Sequence, residues 1–128
     1  MNILLDTHVL IGLAIEPQKL STRATHMLMD SNNTLFLSLV SIWEMQIKIQ
    51  LNKLTLNLPL SEVIDHQQQV NGLQILPIEL AHIFALEQLP NPHRDPFDRL
   101  LIAQAFVAQI PILSIDIIFD RYPVQRLW

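Results

Sequence analysis

Asp95 and Asp98 stand three residues apart in the stretch Asp95-Pro96-Phe97-Asp98-Arg99-Leu100-Leu101-Ile102-Ala103-Gln104-Ala105. Residues at that spacing share one face of a helix, so two carboxylates fall on a single first turn. Three more acids, Asp6, Glu44 and Asp116, lie beside segments that read as the ends of strands. Carboxylates brought together repel one another, and their pKa values rise unless a cation is present. Oxygen-only ligands suit Mg²⁺ or Mn²⁺ and not Zn²⁺. Asp6, Glu44, Asp98 and Asp116 are therefore the candidate metal ligands and catalytic residues, with Asp95 secondary.

Each acid also has a plainer use. Pro96 suits the first helical position, because its φ is helical and its missing N–H would be unpaired there anyway. Asp95 then falls at the N-cap, which for it is favoured over a catalytic role. Asp6 or Thr7 can cap the first helix. Ser41-Ile42-Trp43-Glu44 matches a capping box, and Lys48 follows Glu44 at the favourable spacing for a helical ion pair. Asp98 suits a helix's first turn through the dipole alone, and Asp116 suits a turn. None of the five histidines is paired at metal-ligand spacing, although His8 and His93 flank acidic positions. Arg94 and Arg99 bracket Asp95 and Asp98, as a salt bridge or a phosphate contact would require.

The elements that must position these residues alternate between strand and helix. Asn2-Ile3-Leu4-Leu5 reads as a buried strand, followed by a helix over Val9 to Ala14. Ser21 can cap a helix running to Asp30, and Thr34 to Leu37 reads as a second strand. A helix capped by Ser38 or Ser41 reaches Gln50 or Leu51. Asn52 to Leu58 is a connection closed by Pro59, and Ser61 to Asn71 reads as a helix with Gly72 just beyond it. Gln74-Ile75-Leu76 is a third strand, Glu79 to Leu89 a helix, and Pro90 to Arg94 a rigid loop. The helix opened by Asp95 is apolar almost all round through Ala108, which is the pattern of a buried helix. Pro111 to Ser114 reads as a fourth strand, Ile117 to Arg121 as a turn or short helix, and Val124 to Leu127 as a last strand. Such alternation implies a parallel sheet between helical layers. Ligands of such sheets collect at the C-terminal strand ends, where all four acids can converge.

A length of 128 residues is that of one domain, 1–128. A net charge of −4 argues against the basic footprint usual for nucleic-acid binding, though not against an enzyme that uses cations. No cysteine is present, which excludes disulfides and thiolate metal sites and fits a reducing cytoplasm. Met1-Asn2 leads straight into the apolar strand, so no signal peptide is expected. No apolar run approaches the ~18 residues of a membrane span. With two glycines there is no phosphate-cradling loop and no dinucleotide fingerprint. A hydrophobic content of 50% points either to a surface covered by a partner or to a larger core.

Four segments resemble a known family. Leu4-Leu5-Asp6-Thr7-His8-Val9-Leu10 resembles the opening of PIN-domain ribonucleases, and Ser41-Ile42-Trp43-Glu44-Met45-Gln46-Ile47-Lys48 their glutamate helix. The stretch from His93 to Ala105 is similar to the third motif of a VapC-like subgroup. Ile112 to Asp116, with Phe119 and Tyr122, resembles the fourth, with Ile115 where a small or charged residue is commoner. The resemblance implies a PIN-like three-layer α/β fold, with a parallel sheet of about four to five strands. It implies an Mg²⁺- or Mn²⁺-dependent endoribonuclease, the toxin of a type II toxin–antitoxin pair, often a homodimer and inhibited by a cognate antitoxin protein. Asp6, Glu44 and Asp98 match the family's core acids and Asp116 the fourth. The RNA substrate is expected to be single-stranded, since an unstacked strand can enter an acidic cleft. Two other readings compete with this. A phosphoacceptor receiver-like domain would need an early acidic pair and a lysine where Asp116 stands. A non-catalytic α/β binding module would use the acids only as caps.

Overall fold

The computed structural model describes residues 1–128. Its centre is β1 (Asn2–Leu5), which pairs in parallel with β2 (Thr34–Ser38) on one side and β4 (Ile112–Leu113) on the other. β3 (Gln74–Leu76) lies outside β2, and β5 (Arg126–Leu127) outside β4. The order is β3-β2-β1-β4-β5, and every pair is parallel. From β1 the chain winds outward through β2 to β3, then returns to the opposite side of β1 to place β4. The winding thus reverses between β1 and β4, the position where such sheets bind ligands.

Six α-helices cover the sheet: α1 (Thr7–Ile15), α2 (Thr22–Met29), α3 (Leu39–Gln50), α4 (Leu60–Asn71), α5 (Leu80–Ala85) and α6 (Pro96–Ala108). Alternate strand residues point to opposite faces. Ile3, Leu5, Leu35, Leu37 and Leu113 pack with α1, α2 and Leu73 in one cluster. Leu4 and Ile112 pack with α6, Ala85, Phe119 and Tyr122 in the other. Both faces are buried, which is why these strands read as unbroken apolar runs instead of alternating ones. Met45 joins the first cluster and Val40 the second, so α3 touches both layers.

Local chemistry sets the boundaries. Ser21 caps α2 by accepting the Ala24 N–H at 3.0 Å. Gly72 ends α4 with φ of +64°, a left-handed conformation that costs glycine little. α5 is shorter than the expected helix over Glu79 to Leu89. It tightens into a 3₁₀ turn over Leu86–Gln88, because Leu89 precedes Pro90 and is driven to extended backbone. The capping box expected at Ser41 and Glu44 does not form. Ser38 caps α3 instead, accepting the Val40 N–H at 3.0 Å, which leaves Ser41 and Glu44 inside the helix. α6 is buried over Leu101 to Ala105, but Val107 near its end is exposed. No helix is long and apolar enough to cross a membrane.

Candidate active site

Leu5 is in register with both Leu37 and Leu113, so Asp6, Ser38 and Ser114 follow at one level of the sheet edge. Asp6 occupies the N-cap position of α1, yet its carboxylate caps nothing. It accepts a hydrogen bond from Ser114 Oγ at 2.8 Å instead, and His8 Nδ1 stands 4.0 Å away. The residue is only 3% exposed. Burial pushes its pKa above the ordinary carboxylate value, opposed by the Ser114 bond and His8 and assisted by the charge of Glu44.

Glu44 is buried on α3. Thr7 Oγ1 lies 2.8 Å from Glu44 Oε1 and 2.8 Å from Ser41 Oγ. One hydroxyl hydrogen cannot serve both, and a carboxylate only accepts, so Thr7 donates to Glu44 and Ser41 donates to Thr7. Lys48 Nζ completes the set at 3.0 Å from Glu44 Oε2, the ion pair its spacing foretold. Two oxygens of one buried acid are thereby held by two different elements, α1 and α3.

The two acids of α6 divide their roles. Asp95 Oδ1 accepts the backbone N–H groups of Phe97 and Asp98 at 2.9 and 3.1 Å, the capping arrangement expected of it. Asp98, one turn on, has its carboxylate free of the helix. His93 Nε2 lies 3.2 Å from its Oδ2. Burial first, then the charges of Asp95, Asp6 and Glu44, raise the Asp98 pKa from 3.8 to about 6. Asp6, Glu44 and Asp98 are therefore close enough to repel one another across the sheet edge. Arg99 pairs with neither Asp95 nor Asp98; it bonds Pro90 O and Tyr122 Oη.

Asp116 reaches this cluster through Ser114. Its N–H donates to Ser114 Oγ at 3.0 Å, while its carboxylate turns to the Ile118 N–H, also at 3.0 Å, and is exposed. The fold thus places three of the four candidates within electrostatic reach of one another and ties the backbone of the fourth to Ser114. No three acid or imidazole groups converge into a ready-made cation cluster. The donor chemistry nonetheless fits Mg²⁺ or Mn²⁺. The groups are all carboxylates, their repulsion is relieved by positive charge, and Mg²⁺ commonly keeps several waters while binding one or two carboxylates.

Three contributors were not legible as such in the sequence. Thr7 read as a cap and is the donor to Glu44. Ser114 read as the end of a strand and links Asp6 to Asp116. Tyr122, buried and bonded to His93, had no local signal beyond its place in the fourth motif.

The PIN domain family matches residues 3–125, and the chain belongs to that family. No curated protein sequence matches it. Among solved structures it is similar to a chain of VapBC2 from Rickettsia felis bound to a DNA fragment from their promoter. The two are 17% identical with a TM-score of 0.77, over 99% of this chain and 98% of that one. It is similar to a chain of DNA-bound VapBC from Salmonella typhimurium, 12% identical with a TM-score of 0.71 over 99% and 97%. FitAcB from Neisseria gonorrhoeae gives 20% identity and a TM-score of 0.68 over 98% and 96%.

Proposed function

We propose that this chain is a divalent-metal-dependent endoribonuclease, the toxin of a type II toxin–antitoxin pair. The observation that carries the reading is that buried Asp6 and Glu44 and half-buried Asp98 stand within electrostatic reach of one another at the reversal point of a PIN-domain sheet, with Asp98 pushed up to about 6 by burial and its acidic neighbours. Asp6, Glu44 and Asp98 would hold Mg²⁺ or Mn²⁺, with Asp116 beside them. When bound, such an ion polarises the phosphoryl oxygen and activates water at neutral pH. The protein's own part is orientation. Ser114 holds one oxygen of Asp6, while Thr7 and Lys48 hold the two oxygens of Glu44. Single-stranded RNA, whose unstacked bases leave the backbone accessible, suits the acidic strand-end edge better than a duplex.

The VapBC and FitAB complexes among the structural neighbours support a cognate antitoxin as partner. Exposed apolar side chains support a covered surface, whether by the antitoxin or by a second copy. Trp43 is 59% exposed, Leu80 69%, Phe84 64% and Ile117 72%. Incubating the purified chain with single-stranded RNA and Mn²⁺ should give cleavage that is lost in Asp6→Asn and in excess EDTA. Addition of the product of the neighbouring open reading frame should suppress it. RNA cleavage undiminished by EDTA would sink the metal-dependent mechanism.

A further inference from the structure

We infer that Arg99, Tyr122 and His93 form a directed chain of hydrogen bonds that fixes the His93 tautomer and holds one oxygen of Asp98, making His93 a positioning residue of the site. The inference rests on the metal-binding role proposed above for Asp98.

Direction follows from which atoms can donate. Arg99 Nη1 lies 3.1 Å from Tyr122 Oη, and a guanidinium only donates, so the phenol oxygen accepts there. Tyr122 is 5% exposed, so its own hydroxyl hydrogen needs an acceptor within the protein. His93 Nδ1 stands 2.6 Å away and takes it. A neutral imidazole whose Nδ1 accepts carries its hydrogen on Nε2. That nitrogen faces Asp98 Oδ2 at 3.2 Å. Every link therefore points toward the carboxylate.

The same arginine holds the segment that carries the histidine. Arg99 Nη1 also donates to Pro90 O at 2.7 Å, tying the loop before α6 to the first turn of the helix. The imidazole and phenol rings meet edge to face with centroids 5.5 Å apart. His93 lies on a loop, and these contacts give it the fixity a helix would otherwise supply. With Oδ2 held by His93, Oδ1 of Asp98 is left for a cation. Hydrogen-bond partners of ligating carboxylates typically set ~10–100-fold of metal affinity.

Two measurements on the full chain test this. Long-range ¹H–¹⁵N correlation spectra of the chain in EDTA at neutral pH should show His93 with its hydrogen on Nε2. Tyr122→Phe keeps the ring and its packing but removes the donor, and should abolish that tautomer preference. Mn²⁺ titration by calorimetry should show His93→Ala binding ~10-fold or more weakly. Tyr122→Phe should lose less, and His93→Gln, whose amide N–H can reach Asp98, should recover most of the loss. A wild-type His93 with its hydrogen on Nδ1, or Mn²⁺ affinity unchanged in His93→Ala, overturns the inference. Wild-type protein that binds no Mn²⁺ overturns the proposed metal site instead; the tautomer comparison then still decides the hydrogen-bond chain.

Discussion

Ser114 and Asp6 lie 108 positions apart in the chain and are joined by a 2.8 Å hydrogen bond, with Ser114 Oγ donating to Asp6 Oδ2. The bond spans the reversal point of the sheet, from the residue after β4 to the residue after β1. It also lowers the pKa of a carboxylate that burial raises, so it favours the charged form. Ser114→Ala should destabilise the chain by ~2 kcal/mol at neutral pH, the scale of a hydrogen bond to a charged group. The loss should shrink in acid, where Asp6 takes up a proton and no longer needs the donor. Urea denaturation of the two proteins across a pH series reads both effects, and an equal loss at every pH would count against the assignment.

Thr7 gives a second test. Its hydroxyl joins α1 to α3 through Glu44 and Ser41. Thr7→Val has nearly the same shape but leaves a buried carboxylate oxygen without its donor, at a cost of ~1–3 kcal/mol. Thr7→Ser keeps the hydroxyl and should recover most of it. In a double-mutant cycle with Glu44→Ala, which removes the acceptor, the two changes should be non-additive, since the groups touch. Additive losses would show that Thr7 acts through packing alone.

Asp98 predicts a pH dependence of stability. Its folded value is about 6 against an ordinary 3.8, so the folded chain binds the extra proton between those values. Stability from this group therefore falls as pH rises through that window, and the penalty is fully present above about 6. Asp98→Asn stays neutral throughout. In EDTA, the variant should gain on wild type as pH is raised from about 4 to neutral, the range between the unfolded carboxylate value and full ionisation. Thermal midpoints of the two proteins at matched pH values measure the difference. A gap that stays flat, or narrows toward neutral pH, would contradict the environment assigned to Asp98.

Much of this arrangement was readable from the chain because its causes are local. The apolar runs after Asn2 and Thr34, the cap at Ser21, Gly72 beyond α4 and Pro96 behind Asp95 all act within a few residues. Alternation of strand and helix then carried the parallel sheet and put the acids at its C-terminal edge. What was not readable depends on partners distant in sequence. Ser41 and Glu44 have the spacing of a capping box, but Ser38 already caps the helix, and Thr7, 37 positions from Glu44, takes up its carboxylate. Arg99 sits beside two acids in sequence yet bonds a tyrosine 23 positions away. The orientation of Asp116 toward the Ile118 N–H could not be told from a site role by spacing alone, since both need an acid just past a strand.

The last prediction separates the two acids of α6. Asp95 Oδ1 is engaged by two backbone N–H groups, so its carboxylate is drawn back onto the helix. Asparagine caps as well as aspartate, so Asp95→Asn should cost under ~1 kcal/mol of stability. It also removes one of the charges that raises the Asp98 pKa, so that pKa should move down. Its effect on RNA cleavage should be modest, through lost charge near the cation. Asp98 makes no capping bond, and its carboxylate is within electrostatic reach of Asp6 and Glu44. Asp98→Asn should lower cleavage about a thousandfold, equivalent to ~4 kcal/mol of transition-state stabilisation, and should weaken Mn²⁺ binding measured by calorimetry. Both variants are to be compared with wild type at saturating Mn²⁺, with thermal melts to confirm folding. An inactive Asp95→Asn beside a nearly normal Asp98→Asn would reverse the division of labour. The cap would then be an incidental use of Asp95, and the pairing of His93 with Asp98 would serve the loop and not the chemistry.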